Sequence, residues 1–147
     1  MVTAAVSTEN LTKIYTLDLL KGRKRVVALD GLNLTIGEGH VMGVLGPNGA
    51  GKSTTIKLLL NLITPTSGKA RLFGLDPSDA EARRNVGYLP ENPSPYEYLT
   101  GEEFVRFAGS LSGLRGAELT ARVRTVLEQV QMDRFTGVQI RRYSKGM

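Results

Sequence analysis

The chain has 147 residues, of which 41% are hydrophobic and 22% are charged, and it contains no cysteine. This composition is typical of a single globular domain that buries its own core, and it excludes thiol catalysis, cysteine-ligated metals and iron–sulfur clusters. The formal net charge of +5 fits an ordinary solvated surface, or a basic face for anionic partners such as nucleotides, nucleic acid or lipid.

The hydrophobic segments are too short for a membrane span. The most apolar stretch, residues 56–63, is interrupted by Lys57 and Asn61, whereas a span needs roughly 18 consecutive apolar residues. No cation precedes Lys13, so the N-terminus lacks the basic region of a signal peptide. We therefore expect a cytoplasmic protein.

The first predicted elements alternate strands and turns. Apolar and polar residues alternate over 32–36, which predicts a half-buried strand followed by a turn at 37–39. The continuously apolar residues 41–45 (VMGVL) predict a strand buried on both faces of a parallel sheet. Apolar residues at helical spacing predict a helix over 53–63, closed off by the proline and glycine at positions 65 and 68.

A second group of elements follows the same pattern. Residues 69–73 predict a strand, and the spacing of 78–81 (SDAE) is that of a capping box that opens a short helix ending at Arg84. Residues 86–89 predict another buried strand. Two prolines within 92–95 place a loop directly after it.

The last part of the chain predicts two helices. A capping box at 100–103 (TGEE) opens the first. Its predicted apolar face consists of Phe104, Phe107, Ala108 and Leu111. The second helix repeats the spacing with Leu119, Val123, Val126, Leu127 and Val130. Strands followed by a helical pair predict an α/β domain with a smaller helical portion.

The glycine-rich segment between the second predicted strand and the first helix carries the chemistry. Residues 46–53 (GPNGAGKS) match the P-loop pattern in its expected strand-to-helix context. Such a loop turns its N–H groups inward around phosphate, here those of Asn48, Gly49, Ala50 and Gly51. Lys52 is then placed to reach the β- and γ-phosphates, Ser53 to ligate Mg²⁺, and Thr54 to bond near the α-phosphate. A glycine-rich turn that binds nothing is the alternative.

The P-loop and its surroundings resemble a known family. Residues 28–36 (ALDGLNLTI) and 46–55 (GPNGAGKSTT) look like the ATP-binding subunit of ABC transporters. Residues 86–91 (VGYLPE) resemble its Q-loop, and 143–147 (YSKGM) resemble the start of its signature motif. With 98–102 (YLTGE), the resemblance is greatest to the branch that powers multidrug and daunorubicin-type exporters.

The resemblance implies a fold. It is an α/β P-loop NTPase (RecA-like) core with an N-terminal antiparallel β part and a helical subdomain. Residues 1–147 would form one incomplete nucleotide-binding domain, with the β part and P-loop core at about 1–92 and the helical subdomain at about 93–147. The C-terminal part of the domain is expected to be missing.

The resemblance also implies roles for individual residues. Tyr15 lies where the family places an aromatic ring that stacks on adenine. Glu91 occupies the place of a glutamine that helps to ligate Mg²⁺, a role open to a carboxylate, although a plain surface glutamate is the alternative. Ser144 and Gly146 correspond to residues that close over the γ-phosphate bound to the opposite subunit. Lys145 departs from the usual glycine, and it either attracts phosphate or is simply solvated.

The resemblance implies partners and an activity for a longer protein. Two such domains would bind two ATP molecules head to tail on the inner face of the membrane and move transmembrane permease subunits to export a substrate. The catalytic Asp and Glu and the switch histidine of the family follow the signature motif, and the single histidine, His40, precedes the P-loop. We therefore expect these 147 residues to bind ATP at most.

Three interpretations of the function stay open at this point, of which the ATP-binding subunit of a transporter is the first. A non-transport ABC-type ATPase that acts on ribosomes or DNA is the main alternative, although we expect no nucleic acid partner. A GTPase or small-molecule kinase would share only the P-loop, and the sequence has no guanine-reading NKxD motif.

The basic run at 21–25 (KGRKR) is either a solvated hairpin loop or a contact for lipid headgroups or phosphates.

Overall fold

The structure is a computed structural model that describes residues 4–19, 22–93, 95–144 and 146–147. The chain divides after Tyr88 into two compact units. No helix within the described ranges is long and apolar enough to cross a membrane. The grouping of both units into one domain, with a boundary near residue 92, stays a prediction.

A three-stranded antiparallel sheet forms the base of the first unit. The strands are β1 (Ala4–Leu19), β2 (Gly22–Gly37) and β3 (Ser67–Leu72), in the order β2-β1-β3. The strand predicted at 32–36 is the end of β2, and its exposure alternates residue by residue as expected. The strand predicted at 69–73 is β3, which ends before Phe73 because the backbone there turns to a φ of +50°.

Helix α1 (Lys52–Leu59) packs on this sheet. Leu58 of α1 forms a buried core with Leu11 and Ala70 of the strands, and Leu11 is fully buried. The helix ends four residues earlier than predicted because Asn61 adopts the left-handed conformation with a φ of +55°. Its N–H bonds the Leu58 carbonyl, and the next N–H bonds the Lys57 carbonyl at 2.9 Å, which is the Schellman ending that asparagine tolerates.

Two predicted strands are wrong in the described chain. Residues 41–45 and 86–89 have no strand structure, and Val41 and Leu45 are almost fully exposed. A parallel strand needs a neighbour across a long crossover to receive its hydrogen bonds. No strand of the described residues pairs with either stretch. The apolar side chains of 41–45 and of Leu89 are exposed, whereas Val86 is half-buried.

The short helix α2 (Ala80–Arg83) begins one residue later than predicted. Its N-cap is Asp79, whose side chain accepts a hydrogen bond from the Glu81 N–H at 2.9 Å. Ser78 instead donates its hydroxyl to Asp76 at 2.6 Å. This bond and a second one from the Ser78 N–H lower the pKa of the Asp76 carboxyl.

The second unit is built on α3 (Gly101–Leu111) and α4 (Gly116–Gln129). The described core consists of Leu119, Val123, Leu127 and Met132, with Val105, Leu114 and Tyr143 packed against it. The predicted face of α4 is therefore confirmed at its three buried positions. Short 3-10 turns at Asp133–Phe135 and Ile140–Arg142 follow.

The apolar face predicted for α3 packs only in part, through the half-buried Phe104 and an edge-to-face contact between the rings of Phe107 and Tyr96. Phe107 is 40% exposed and Leu111 is 73% exposed, whereas Val105 contacts the core. Gly109 explains the difference, because a Cβ at this position would lie 2.6 Å from a methyl of Leu119. The missing side chain at Gly109 lets α4 approach this side of α3.

The start of α3 is held by a capping box and by the end of the chain. The Thr100 hydroxyl accepts a bond from the Glu103 N–H, and the Glu103 carboxylate accepts bonds from the Thr100 N–H at 2.8 Å and hydroxyl at 2.9 Å. The next two N–H groups, those of Gly101 and Glu102, bond carbonyls at Val138 and Thr136. The first three N–H groups of the helix, those of Gly101, Glu102 and Glu103, therefore all have hydrogen-bond partners.

Gly68 generates a stability prediction for the first unit. It has a φ of +80°, and a Cβ there would meet the Asn10 carbonyl and lie 2.6 Å from the Glu9 oxygen. Gly74 has a matching φ of +81° with open space around it. We expect Gly74→Ala to lose only the roughly 1–2 kcal/mol of a left-handed alanine, and Gly68→Ala to lose at least about 1 kcal/mol more through overpacking. Urea unfolding measures both, and equal losses would contradict the close approach.

The capping box generates a second prediction. Thr100→Ala removes the hydroxyl that caps α3 and should lower the free energy of unfolding by about 1 kcal/mol. Thr100→Ser keeps the hydroxyl and is the matched control. Far-UV circular dichroism in urea reports both, and a serine variant as unstable as the alanine variant would argue against the cap.

A pH dependence follows from the same contacts. The hydrogen bonds from the Thr100 N–H and hydroxyl lower the pKa of Glu103 in the folded chain. A lowered pKa stabilises the fold at pH values above the ordinary glutamate range, and this stabilisation disappears as the pH falls through the lowered value. The urea midpoint should therefore drop less between pH 7 and about pH 3 for Glu103→Gln than for the parent chain. Equal drops in the Glu103→Gln variant and the parent chain would contradict this role of the Glu103 contacts.

Candidate functional site

The segment between β2 and α1 forms an exposed loop that leads into a helix. Residues 46–50 are exposed, and the Ala50 N–H bonds the Pro47 carbonyl at 3.2 Å to close a turn. Gly49 and Gly51 have φ values of +87° and +88°. These left-handed positions favour glycine and turn successive N–H groups to one side, as an anion-binding loop requires.

Gly51 fixes this loop against the sheet. It is buried, and a Cβ there would lie 2.6 Å from the Ala28 carbonyl oxygen and 3.3 Å from a methyl of Leu29, both on β2. A side chain at this position would therefore push the start of α1 away from β2. The Gly51 carbonyl in turn accepts bonds from the Thr55 N–H at 2.8 Å and from the buried Thr55 hydroxyl at 3.0 Å.

The N-terminus of α1 is not capped by any side chain of the described residues. The first N–H groups of a helix lack partners within the helix and carry a partial positive charge. Those of α1 follow an exposed glycine loop, which is the arrangement that binds phosphate. The start of α3, whose capping box is complete, differs in this respect.

Lys52 adds a full positive charge beside these N–H groups. Its ammonium donates hydrogen bonds to the carbonyls of Gly46 at 2.6 Å and Pro47 at 2.8 Å. Both partners are neutral carbonyls, so the charge is not neutralised by these contacts. An ammonium has three donors, and one remains for an incoming anion.

Ser53 and Thr54 occupy the first turn of α1. Ser53 is exposed and Thr54 is half-buried, so the serine hydroxyl is open to a ligand. Within the part of the chain that the structure describes, no three acidic or histidine side chains are grouped to hold a metal ion. A cation at Ser53 would need further oxygen ligands from bound phosphate and water, the usual situation of Mg²⁺.

Tyr15 lies on β1 opposite Val26 and is 36% exposed. The ammonium of Lys13 lies over its ring at 5.1 Å from the centroid, a cation–π contact. The same ammonium donates a hydrogen bond to the Thr64 carbonyl at 2.6 Å. The Tyr15 ring is thereby fixed in place while part of it is accessible to a planar ligand.

The remaining predicted site residues lie in the second unit. Glu91 is an exposed bend residue, and Ser144 and Gly146 are exposed near the end of the chain. Lys145 lies outside the described residues, as does Lys21 of the basic run. The P-loop and Tyr15 belong to the first unit, so the predicted residues divide between the two units.

Tyr143 has a structural role that the sequence analysis did not predict. Its hydroxyl donates to the Phe135 carbonyl at 2.8 Å, and its N–H bonds the Ile140 carbonyl at 2.8 Å. Its ring packs on the α4 core and on Gly101, where a Cβ would collide with the phenol oxygen. Tyr143 therefore anchors Ser144 to the start of α3, and no periodicity in the sequence indicates this contact.

Several known proteins are similar to this chain. The family described as ABC transporter matches residues 29–147. An uncharacterized ABC transporter ATP-binding protein of Nostoc sp. is 42% identical over 146 residues, which are 98% of this chain and 43% of that protein. The probable multidrug ABC transporter ATP-binding protein YbhF of Escherichia coli is 39% identical over 119 residues, which are 80% of this chain and 21% of that protein.

Two solved structures share the fold. One is titled as the structure of an ATP-binding subunit of an ABC transporter. It has a TM-score of 0.79 at 32% identity, over 97% of this chain and 57% of that one. The other is a dimeric post-hydrolysis state of the ATP-binding cassette MJ0796 bound to ADP and Pi. Its TM-score is 0.77 at 26% identity, over 95% of this chain and 63% of that one.

The chain spans less than half the length of the curated relatives it matches. The predicted α/β fold of P-loop NTPases is confirmed by the structural neighbours, and the predicted family is confirmed by the family match and the relatives. From its P-loop, its fold and these matches, the chain belongs to the ABC transporter family, as part of an ATP-binding subunit.

Proposed function

We propose that residues 46–54 bind the polyphosphate of ATP, and that the whole protein uses ATP to drive export through a membrane partner. The observation that carries the proposal is the uncapped start of α1 behind a glycine loop, with the Lys52 ammonium at its mouth. Backbone N–H groups and one lysine are the donor set that a polyphosphate requires. The names of the relatives favour transport over action on ribosomes or DNA.

Each group of the loop has a distinct part in binding. The N–H groups of residues 48–51 surround the phosphates, that of Ala50 in exchange for its bond to the Pro47 carbonyl, and Thr54 bonds near the α-phosphate. Lys52 donates to the β- and γ-phosphate oxygens and gives up one of its two loop carbonyls to do so. Because the carbonyls are neutral and the phosphates are charged, this exchange favours the nucleotide.

Mg²⁺ fits the oxygen ligands of this chain. The Ser53 hydroxyl is exposed in the first turn of α1, and we propose it as a ligand. Glu91 is proposed as a second ligand on the strength of the family resemblance alone. Bound Mg²⁺ neutralises charge on the phosphates. The role of this chain is to hold the serine hydroxyl beside the site through the α1 backbone.

Adenine and a second subunit complete the proposal. Tyr15 offers a fixed, partly exposed ring on which a purine can stack. Ser144 and Gly146 would face the γ-phosphate held by a second nucleotide-binding domain, in a head-to-tail dimer. The dimeric state of the MJ0796 cassette with ADP and Pi supports such an arrangement.

The location and the domain limits are also proposals. We place the protein on the inner face of the cell membrane, attached through a transmembrane permease subunit. Both compact units would belong to one nucleotide-binding domain that residues 1–147 fill in part. The multidrug name of YbhF favours export as the direction of transport.

The proposal is tested at Lys52. The substitution Lys52→Ala removes the charged donor. It should weaken the binding of a fluorescent ATP analogue by about ten- to a hundredfold, which is the range for losing a hydrogen bond to a charged group. Fluorescence anisotropy on the 147-residue chain measures the affinity. Lys57→Ala removes the same charge from an exposed position of the same helix and should bind as the parent does.

Two outcomes would contradict the proposal. Equal losses in Lys52→Ala and Lys57→Ala would mean that the helix contributes only general positive charge. Unchanged binding in Lys52→Ala, with circular dichroism showing an intact fold, would place the nucleotide elsewhere.

A further inference from the structure

Strands β1 and β2 extend beyond the rest of the sheet. The last pair between β1 and β3 is Thr12 with Ser67, whereas the pairing of β1 with β2 continues to Leu19 and Gly22. Residues 15–19 and 22–27 therefore form a two-stranded projection, called the arm below. Hydrogen bonds between the Ile14 backbone and the Thr66 hydroxyl fix its base.

The arm carries a cluster of positive charge. Its residues, 15–19 and 22–27, contain three consecutive cations at positions 23–25 and one acidic residue, Asp18, which gives +2 of the net +5. Lys24 and Arg25 are exposed. Because the three cations are consecutive, positive charge is concentrated on this projection.

Exposed aliphatic side chains accompany these cations. Leu17 is 47% exposed, Val26 37% and Val27 56%. An isolated two-stranded hairpin is marginally stable in water, and this one leaves branched apolar side chains uncovered as well. The arm patch is defined here as Leu17, Lys24, Arg25, Val26 and Val27.

The register distributes the arm patch over both faces of the arm. Leu17 pairs with Lys24, and Arg25 lies on the neighbouring pair, so the two cations point to opposite faces. Val26 shares the face of Lys24, and Val27 shares the face of Arg25. Each face therefore combines a cation with an exposed aliphatic side chain.

We propose that the arm patch binds the headgroup region of an anionic lipid bilayer. Lysine and arginine are attracted to the negative surface potential, while aliphatic side chains enter the boundary of the acyl chains. Nucleic acid would be bound by cations with several stacking aromatic rings, and the described part of the arm offers a single ring, Tyr15, which the proposed function assigns to adenine. The arm patch contains neither a P-loop residue nor Tyr15.

The experiment is co-sedimentation of the 147-residue chain with vesicles. Vesicles of phosphatidylcholine with 30% phosphatidylglycerol, about the anionic content of a charged leaflet, should bind the chain, and pure phosphatidylcholine vesicles should bind it far less. The double variant K24Q/R25Q should bind the anionic vesicles roughly thirtyfold more weakly. K69Q/R122Q removes the same charge at exposed positions outside the arm and should bind nearly as the parent does.

The aliphatic residues distinguish lipid from other anions. V26T/V27T keeps β-branched residues and charge, and it should lose the part of vesicle binding that persists at high salt. Its affinity for a short DNA duplex should not change. Circular dichroism and sedimentation without vesicles establish that each variant is folded and dispersed.

Three results would overturn the proposal. If K24Q/R25Q and K69Q/R122Q lost equal affinity for anionic vesicles, the net charge of the chain and not the arm patch would explain the binding. Tighter binding to the duplex than to anionic vesicles, with no effect of V26T/V27T on vesicles, would make the arm a nucleic-acid contact. Self-association of K24Q/R25Q with unchanged vesicle binding would make the cations protectors of an exposed strand edge.

Discussion

The approach of Gly51 to the Ala28 carbonyl is the constraint on which the first unit depends. It sets where α1 begins, because no side chain fits between the loop and β2. With its start fixed there, α1 directs Leu58 into the core with Leu11 and Ala70. The same contact leaves the first N–H groups of α1 facing the loop. The packing of this unit and the phosphate binding proposed for it therefore depend on the same close backbone approach.

The fold was predictable where the signal is local. Alternation over 32–36 and the capping box at Thr100 each need only neighbours in the sequence, and both are confirmed. Residues 41–45 carry an equally clear apolar signal, yet a strand there depends on partners that the described residues do not supply. For α3 the sequence favoured the larger apolar side chains, whereas the missing side chain of Gly109 decided which side packs.

The features of the candidate site also differ in whether their sequence signal is local. The P-loop was predictable because its glycines, Lys52 and Ser53 are contiguous and each type has one chemical use. The support given by Tyr143 joins residues far apart in the chain, to Phe135 and Gly101, and a single sequence carries no mark of it. The hydrogen bond from the Thr55 hydroxyl to the Gly51 carbonyl joins two residues close in sequence, but it depends on the backbone geometry at the start of α1, which the sequence pattern does not specify.

The carbonyl contacts of Lys52 have a consequence for how fast the site is reached. The ammonium holds the ends of its own loop together before any ligand arrives, so the loop is already folded around a cation. Ordering a loop upon association costs free energy and slows capture, and a preorganised loop avoids both. In the proposed binding of ATP, an arriving phosphate exchanges with one carbonyl partner of Lys52 in a loop that is already folded. We therefore expect encounter with the loop mouth, and not ordering of the loop, to set the rate of capture.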